Sequence, residues 1–284
     1  MLRAGPLSDQ RIVALLNRRF VPFVFDLSDR GFAGDPKARE FVLKAKPAYG
    51  GNSVTTPRVL FMTPEGEIVA EEDNFATEVQ FLQTLRKVVS ANPDFMQPTE
   101  AERALTSPVQ RARVALDLLD YPQARKELTS ADSDFAHFLR GQLERREANW
   151  EDMKAAFAQV RDPLFHDDVR MEKAYEFLVY GQYGKLQRAL TDFPKVSNRY
   201  TEARYYEGIA LYHLGKVEEA QEVWKSTIKS SKQDGWIYRA DWAYCDTKQK
   251  GNRAALSSAG PRTSCLNRIG YMGRKNPDLT PRSR

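Results

Sequence analysis

From Tyr200 to Ser230 the apolar and small positions fall in two blocks separated by His213-Leu214-Gly215-Lys216. Tyr205, Gly208, Ala210, Tyr212 and Leu214 make up the first block, and Val217, Ala220, Val223, Trp224 and Ile228 the second. The spacing predicts two amphipathic helices. Gly208 and Ala220 are small where the two backbones must approach, and Gly215 permits the sharp turn between them. The same layout recurs upstream. A segment from Asp134 holds Gly141, then Ala148-Asn149-Trp150-Glu151-Asp152 and Phe157. A segment from Asp167 holds Ala174, then Tyr180-Gly181-Gln182-Tyr183-Gly184 and Ala189-Leu190. The residues that open each second helix, Trp150, Tyr183 and Val217, are 33 and 34 positions apart. A weaker pair precedes them, with Ala112 and Ala115, then Asp120-Tyr121-Pro122-Gln123-Ala124. One hairpin cannot bury its apolar face alone, so units in register imply a stack.

The first hundred residues follow another pattern. Ser8 to Phe20 predicts a helix capped by Ser8 or Asp9, with Ile12, Leu15 and Leu16 on one face. Val21–Asp26 predicts a strand, Ser28–Asp35 a turn-rich stretch, and Pro36 the first position of a helix through Lys46. After Gly50-Gly51-Asn52 come Arg58–Met62 and Glu67–Val69, joined by Thr63-Pro64-Glu65-Gly66, which together predict a hairpin. Ala76–Ala91 predicts a helix that buries Val79, Leu82, Leu85, Val88 and Val89. Asn92–Pro98 is a linker. Thr99…Glu102 and Ser107…Gln110 have the form of capping boxes opening the helical half. Gly235–Lys250 predicts a closing helix sealed by Trp236, Ala240 and Ala243, and the Gly, Ser, Pro and Arg content beyond Gly251 predicts little packed structure.

Two family resemblances follow from these residues. The helical pair at Tyr200–Ser230 and its upstream copies resemble tetratricopeptide (TPR) repeats, with Arg204 and Glu207 standing where the family usually has Trp and Leu. Residues 1–91 resemble the C-terminal portion of a thioredoxin-like domain. The helix and strand at SDQRIVALLNRRFVPFVFDL, the pair Thr56-Pro57 and the turn Pro64-Glu65-Gly66 carry that likeness. In that family the proline is cis, which makes Pro57 the structural cis-proline candidate. The family's CxxC motif would open the first helix, and no cysteine occurs before Cys245. The implied fold class is α/β plus all-α: a thioredoxin-like domain without CxxC at 1–91, a linker at 92–98, a TPR-like α-helical solenoid at 99–250 and a basic tail at 251–284. The strand that precedes CxxC in the family is missing too. An upstream start would restore it; otherwise Val21–Asp26 and Arg58–Met62 close on each other, or another chain fills the slot.

Composition narrows the function. With 42% hydrophobic and 29% charged residues the chain can bury a substantial core. It has no apolar run near the ~20 residues that span a bilayer. Met1–Leu16 lacks the continuous apolar core of a signal peptide. The expected compartment is cytoplasmic if Met1 is the true start, and outside the cytoplasm if a leader lies upstream. Residues 251–284 carry seven Lys or Arg against the single acidic Asp278, so the net charge of +5 belongs to the tail. The charge therefore does not mark the body as a nucleic-acid binder, and only the basic tail could touch nucleic acid, an anionic membrane or an acidic partner. The two cysteines, Cys245 and Cys265, are too few and too far apart for a disulfide framework, a zinc site or a redox pair. Cys245 is expected to pack as a small apolar residue, and His213 to sit exposed at an inter-helix end. His166-Asp167-Asp168 reads as a helix N-terminus rather than a metal site.

No Gly-rich phosphate loop, HExxH or GxSxG occurs. The reading is therefore a protein-interaction scaffold without catalytic residues, cofactor or metal, binding a protein or peptide. The alternative is a thiol-disulfide oxidoreductase or redox chaperone whose CxxC lies upstream. The TPR resemblance implies a concave face lined by the first helix of each pair. Projected onto this chain, that face comprises Phe135, Phe138, Gln142, Arg145, Arg146, Met171, Tyr175, Leu178, Tyr205, Ile209 and Tyr212. Arg145 and Arg146 beside Phe138 could clamp an acidic peptide; equally, the aromatics could be core and the arginines a solvated face.

Overall fold

The computed structural model describes residues 7, 9–21, 36–45, 59–72, 78–230, 234–248 and 276–279. These residues are mostly helical, with one small two-stranded sheet. The chain divides between Thr99 and Glu100 into two compact units.

In the N-terminal unit, α1 spans Gln10–Arg19. Asp9 is its cap: Oδ1 accepts from the Arg11 amide at 2.8 Å and the carboxylate pairs with the Arg11 guanidinium. Ile12 and Leu15 are buried. Helix α2 runs Pro36–Ala45, with proline at its first position as the sequence predicts. Strands β1 (Val59–Met62) and β2 (Ile68–Glu72) pair antiparallel, Leu60 opposite Glu71 and Phe61 opposite Ala70. The register slips between Phe61 and Met62. Gly66 takes φ +91° in the connecting turn, a conformation that favours glycine.

Helix α3 spans Glu78–Ala91 and buries Phe81, Thr84, Leu85 and Val88, while Leu82 and Val89 are only half-buried. The expected face is thus turned toward Phe81, the bulkiest apolar side chain on the helix. Phe81 meets Phe61 at 5.9 Å between ring centroids; Phe61 meets Phe20 at 5.5 Å, and Phe20 meets Phe95 at 4.7 Å. This chain of rings ties β1 to α1, to α3 and to a 3₁₀ turn at Pro93–Met96. The expected linker is therefore partly folded, because Phe95 has a ring to bury. Of the expected strand Val21–Asp26 only Val21 is described; it is 94% exposed and outside any strand. The rest of that strand, and Thr56-Pro57, lie outside the described residues.

The second unit begins with a single turn, α4 (Glu100–Arg103). Four antiparallel hairpins follow: α5 (Pro108–Asp117) with α6 (Tyr121–Leu128), α7 (Asp134–Arg146) with α8 (Trp150–Phe157), α9 (His166–Val179) with α10 (Tyr183–Leu190), and α11 (Tyr200–His213) with α12 (Val217–Ile228). Helix α13 (Gly235–Lys248) packs on both α12 and α11. Trp150, Tyr183 and Val217 open their helices where the sequence period places them. The expected capping box at Ser107 does not form; its side chain makes no cap bond, and Pro108 in the first turn already removes one donor. Asp120 and Ser133 cap α6 and α7 instead.

Each hairpin turns the same way. Leu119, Ala148, Gly181 and Gly215 have φ of +62°, +61°, +63° and +83°. The next residue's amide reaches back five positions in every case: Asp120 to Ala115, Asn149 to Glu144, Gln182 to Phe177 and Lys216 to Leu211, at 2.8 to 2.9 Å. These are Schellman turns, which satisfy the last carbonyls of the first helix. Gly181 and Gly215 adopt the left-handed conformation without strain, whereas Leu119 and Ala148 hold it against their Cβ atoms.

Packing inside the hairpins pairs small with large at equivalent positions. Ala112 shares a core with Leu128, and Ala174 with Leu190. Where the first helix carries glycine, the second carries a ring: a Cβ on Gly141 would overlap Phe157, and one on Gly208 would overlap Trp224. Trp224 is fully buried, and its Nε1 donates to the Tyr205 carbonyl at 3.1 Å. Arg204 and Glu207, at the positions where the resemblance expects Trp and Leu, pair with each other. Burial raises the Glu207 carboxyl above its ordinary value in spite of Arg204.

Candidate functional site: the shared face of the first helices

The hairpin period places Phe138, Met171, Tyr205 and Arg239 at one equivalent position of α7, α9, α11 and α13. Arg145, Leu178, Tyr212 and Asp246 occupy another. Side chains link each first helix to the next, Gln142 to Glu172, Tyr175 to Glu202 and Tyr206, and α11 packs on α13, so these rows run across the unit. The two ends of the rows are built differently.

Toward α7 and α9 the face is closed by a buried ion network. Glu172 is 0% exposed and pairs with Arg145 and with Arg199, the latter at 3.4 Å. Arg199, 5% exposed in the turn before α11, also binds Glu202 at 2.6 Å and Asp168 at 2.9 Å. Gln142 Nε2 donates to Glu172 at 3.4 Å, the Tyr175 hydroxyl donates to Glu202, and the Arg145 guanidinium lies 4.7 Å from the Tyr175 ring centre. Burial alone would raise the Glu172 carboxyl, but Arg145, Arg199 and Arg146 outweigh it and hold it below its ordinary 4.5. Burial drives the Tyr175 phenol well above its usual range. Arg146 donates to the Leu116 carbonyl at 2.7 Å.

The expected acidic-peptide clamp is therefore already engaged internally. Arg145 is neutralised by Glu172, and Arg146 is tied to α5. Of the other residues projected onto the face, Phe138, Gln142, Met171, Leu178, Tyr205 and Ile209 are buried. Phe135, Tyr175 and Tyr212 are half-buried. Phe135 stacks on Phe165 at 5.8 Å.

Toward α11 and α13 the same rows hold a piece of chain. Asn276 and a 3₁₀ turn at Pro277–Leu279 sit against Tyr205, His213, Arg239 and Asp246. The Asn276 amide donates to Asp246 Oδ2 at 2.5 Å, and its side-chain amide donates to the Tyr205 hydroxyl at 3.2 Å. That hydroxyl donates to Asp278 Oδ2 at 2.6 Å. Arg239 lies 3.5 Å from the same carboxylate, its guanidinium held 4.9 Å from the Trp236 ring centre. His213 Nε2 donates to the Asp278 carbonyl at 2.7 Å, and the imidazole stacks on Tyr183 at 4.2 Å. Leu279 packs against the core of α9 to α13. Asn276 is 1% exposed.

Two expectations are corrected here. Residues 251–284 are not uniformly without packed structure, because Asn276–Leu279 is bound. His213 is no exposed bystander, because its ring is stacked and its nitrogen bonded. Arg239 and Asp246 belong to the face and were missed; adding 34 to Tyr205 and Tyr212 finds both.

His166, Asp167 and Asp168 open α9 as expected, and Cys245 is buried with a free thiol. Cys265 lies outside the described residues. Among the described residues no cluster of three metal-ligating side chains occurs, and no helix is long and apolar enough to cross a membrane. No protein-family model matches the chain, and no curated protein or solved structure matches it.

Proposed function

We propose that the helical unit is a peptide-binding array of TPR type, and that the chain is a non-catalytic protein-interaction scaffold whose N-terminal α/β unit is a redox-inactive thioredoxin-like domain. The near-34-residue period, the repeated Schellman turns and the small-against-large pairing inside each hairpin support the array. The order helix, helix, hairpin, helix supports the N-terminal assignment, and residues 1–244 contain no cysteine with which to carry thiol chemistry. One observation carries the binding function: a short stretch of chain is seated on side chains of two successive first helices, Tyr205 and Arg239 at one repeat-equivalent position and His213 and Asp246 one residue out of step. Such a surface offers fixed donors to a carboxylate, an acceptor to a backbone amide and an apolar seat, which together recognise an acidic turn ending in an aliphatic residue.

The test uses the full chain carrying Asn276→Ala and Asp278→Lys, which remove the polar anchors of the resident segment, as bait for a random peptide library. Recovered peptides are expected to place an acidic residue next to an apolar one, and Arg239→Glu is expected to abolish their retention. Recovery of no peptide family, or of one indifferent to Arg239→Glu, contradicts the assignment.

A further inference from the structure

Resting on that reading, we propose that Asn276–Leu279 is an intramolecular ligand of the α11–α13 face, and that the partner recognised in trans is a peptide of the same chemistry: an amide side chain, then an aspartate, then an aliphatic residue. Binding the partner requires release of the chain's own segment, so the tail sets a threshold for binding.

Three observations carry this. First, Asp278 is the only acidic residue among residues 251–284, against seven Lys or Arg. That one aspartate lies against Arg239 and the Tyr205 hydroxyl, a charge and hydrogen-bond match made within the docked segment itself. Second, the contacts come from side chains of two successive first helices, with Tyr205 and Arg239 at one equivalent position and His213 one residue past the equivalent of Asp246, as a ligand lying along the repeat would use them. A segment that merely sealed the end of α13 would need no contact with Tyr205 or His213 on the helix before it. Third, the segment brings its own geometry. Asn276 Oδ1 accepts from the Asp278 amide at 3.0 Å, and the Leu279 amide donates to the Asn276 carbonyl at 3.1 Å. This closes a four-residue turn that a short peptide can reproduce unaided. Between Lys248 and Asn276 lie 27 residues. Fully extended they reach about 90 Å, ample for release and return.

A ligand carried on the same chain competes at an effective concentration of up to about the mM range. A micromolar competitor would therefore bind the wild-type chain at least about tenfold more weakly than a chain whose segment is undocked. The probe is a fluorescein-labelled synthetic peptide of residues 272–284, titrated by fluorescence anisotropy. It is added to the full-length wild-type chain and to the full chain carrying Asn276→Ala with Asp278→Lys. Tight binding to the variant, binding at least tenfold weaker to wild type, and loss on adding Arg239→Glu to the variant would support the proposal. Leu279→Asp serves as a second undocking variant if circular dichroism shows the first to be unfolded. Equal affinity for wild type and undocked chains overturns the inhibitory role. So does failure of this peptide to bind the undocked chain while a library-selected peptide binds it, and in that case the binding face itself stands. If neither peptide binds, both readings fall. A wild-type dimer that becomes monomeric with Asp278→Lys would place the segment on a second copy and overturn the intramolecular form.

Discussion

An Arg199→Leu variant is expected to lose about 3–5 kcal/mol of stability at neutral pH, and to regain part of it on acidification. Removing one member of a buried ion pair is strongly destabilising because the remaining charge is left without compensation. Arg199 is the hub here: it touches Asp168, Glu172 and Glu202, and Glu172 is completely buried. In the wild type, burial pushes the Glu172 carboxyl up, but Arg145, Arg199 and Arg146 bring it below its ordinary 4.5. A lowered folded value means stability that is fully present above 4.5 and is lost as pH falls through the folded value. Without Arg199, one of the two guanidiniums paired with Glu172 is gone and the folded value rises toward or past the unfolded one. The penalty is then largest at neutral pH and shrinks as the carboxyl protonates on acidification. Urea midpoints for wild type and variant, compared at neutral and mildly acidic pH, read this out. A loss of the same size at both would show that Arg199 acts through packing rather than through charge.

The second large effect concerns the pairing of small with large. Gly208→Ala places a Cβ inside the Trp224 ring and is expected to destabilise by about 1–3 kcal/mol, the usual range for overpacking. Trp224→Leu alone opens a cavity at a fully buried site and costs about 2–5 kcal/mol, by analogy with other large-to-small core changes. The hairpins at Ala112 with Leu128 and Ala174 with Leu190 already solve the same contact with smaller partners. The double variant Gly208→Ala with Trp224→Leu should therefore be more stable than the sum of the two losses predicts, by about 0.5–3 kcal/mol of coupling. Strict additivity would mean that the two residues do not share the contact.

What the sequence conveys depends on how far its signals reach. The array was legible because its signal is periodic. Trp150, Tyr183 and Val217 mark helix starts in the sequence and open helices in the structure, and Gly141, Ala174 and Gly208 mark the close approaches. The ion network was not legible, because its members are about thirty residues apart and each resembles an ordinary solvated charge. Arg145 with Glu172 and Arg199 with Asp168 become partners only once the hairpins are stacked. Arg145 and Arg146 read as peptide-binding cations by position alone, but the fold engages both with its own groups. The docked segment was hidden by averaging: a Gly-, Ser- and Arg-rich stretch describes residues 251–284 as a whole and conceals four that differ. The signal available was a lone Asp after Asn-Pro. On α3 the aliphatic positions alone point past Phe81, whereas the ring cluster of Phe95, Phe20, Phe61 and Phe81 decides which side turns inward.

Peptides are expected to bind the shared face of the first helices near α11 and α13. Hydrogen exchange of the full chain carrying Asn276→Ala and Asp278→Lys, with and without a library-selected peptide, tests it most directly. The peptide should slow exchange in Tyr200–His213 and Gly235–Lys248 while leaving Tyr183–Leu190 and Glu78–Ala91 unchanged. Protection confined to the second helices, or to the N-terminal unit, would contradict the claim.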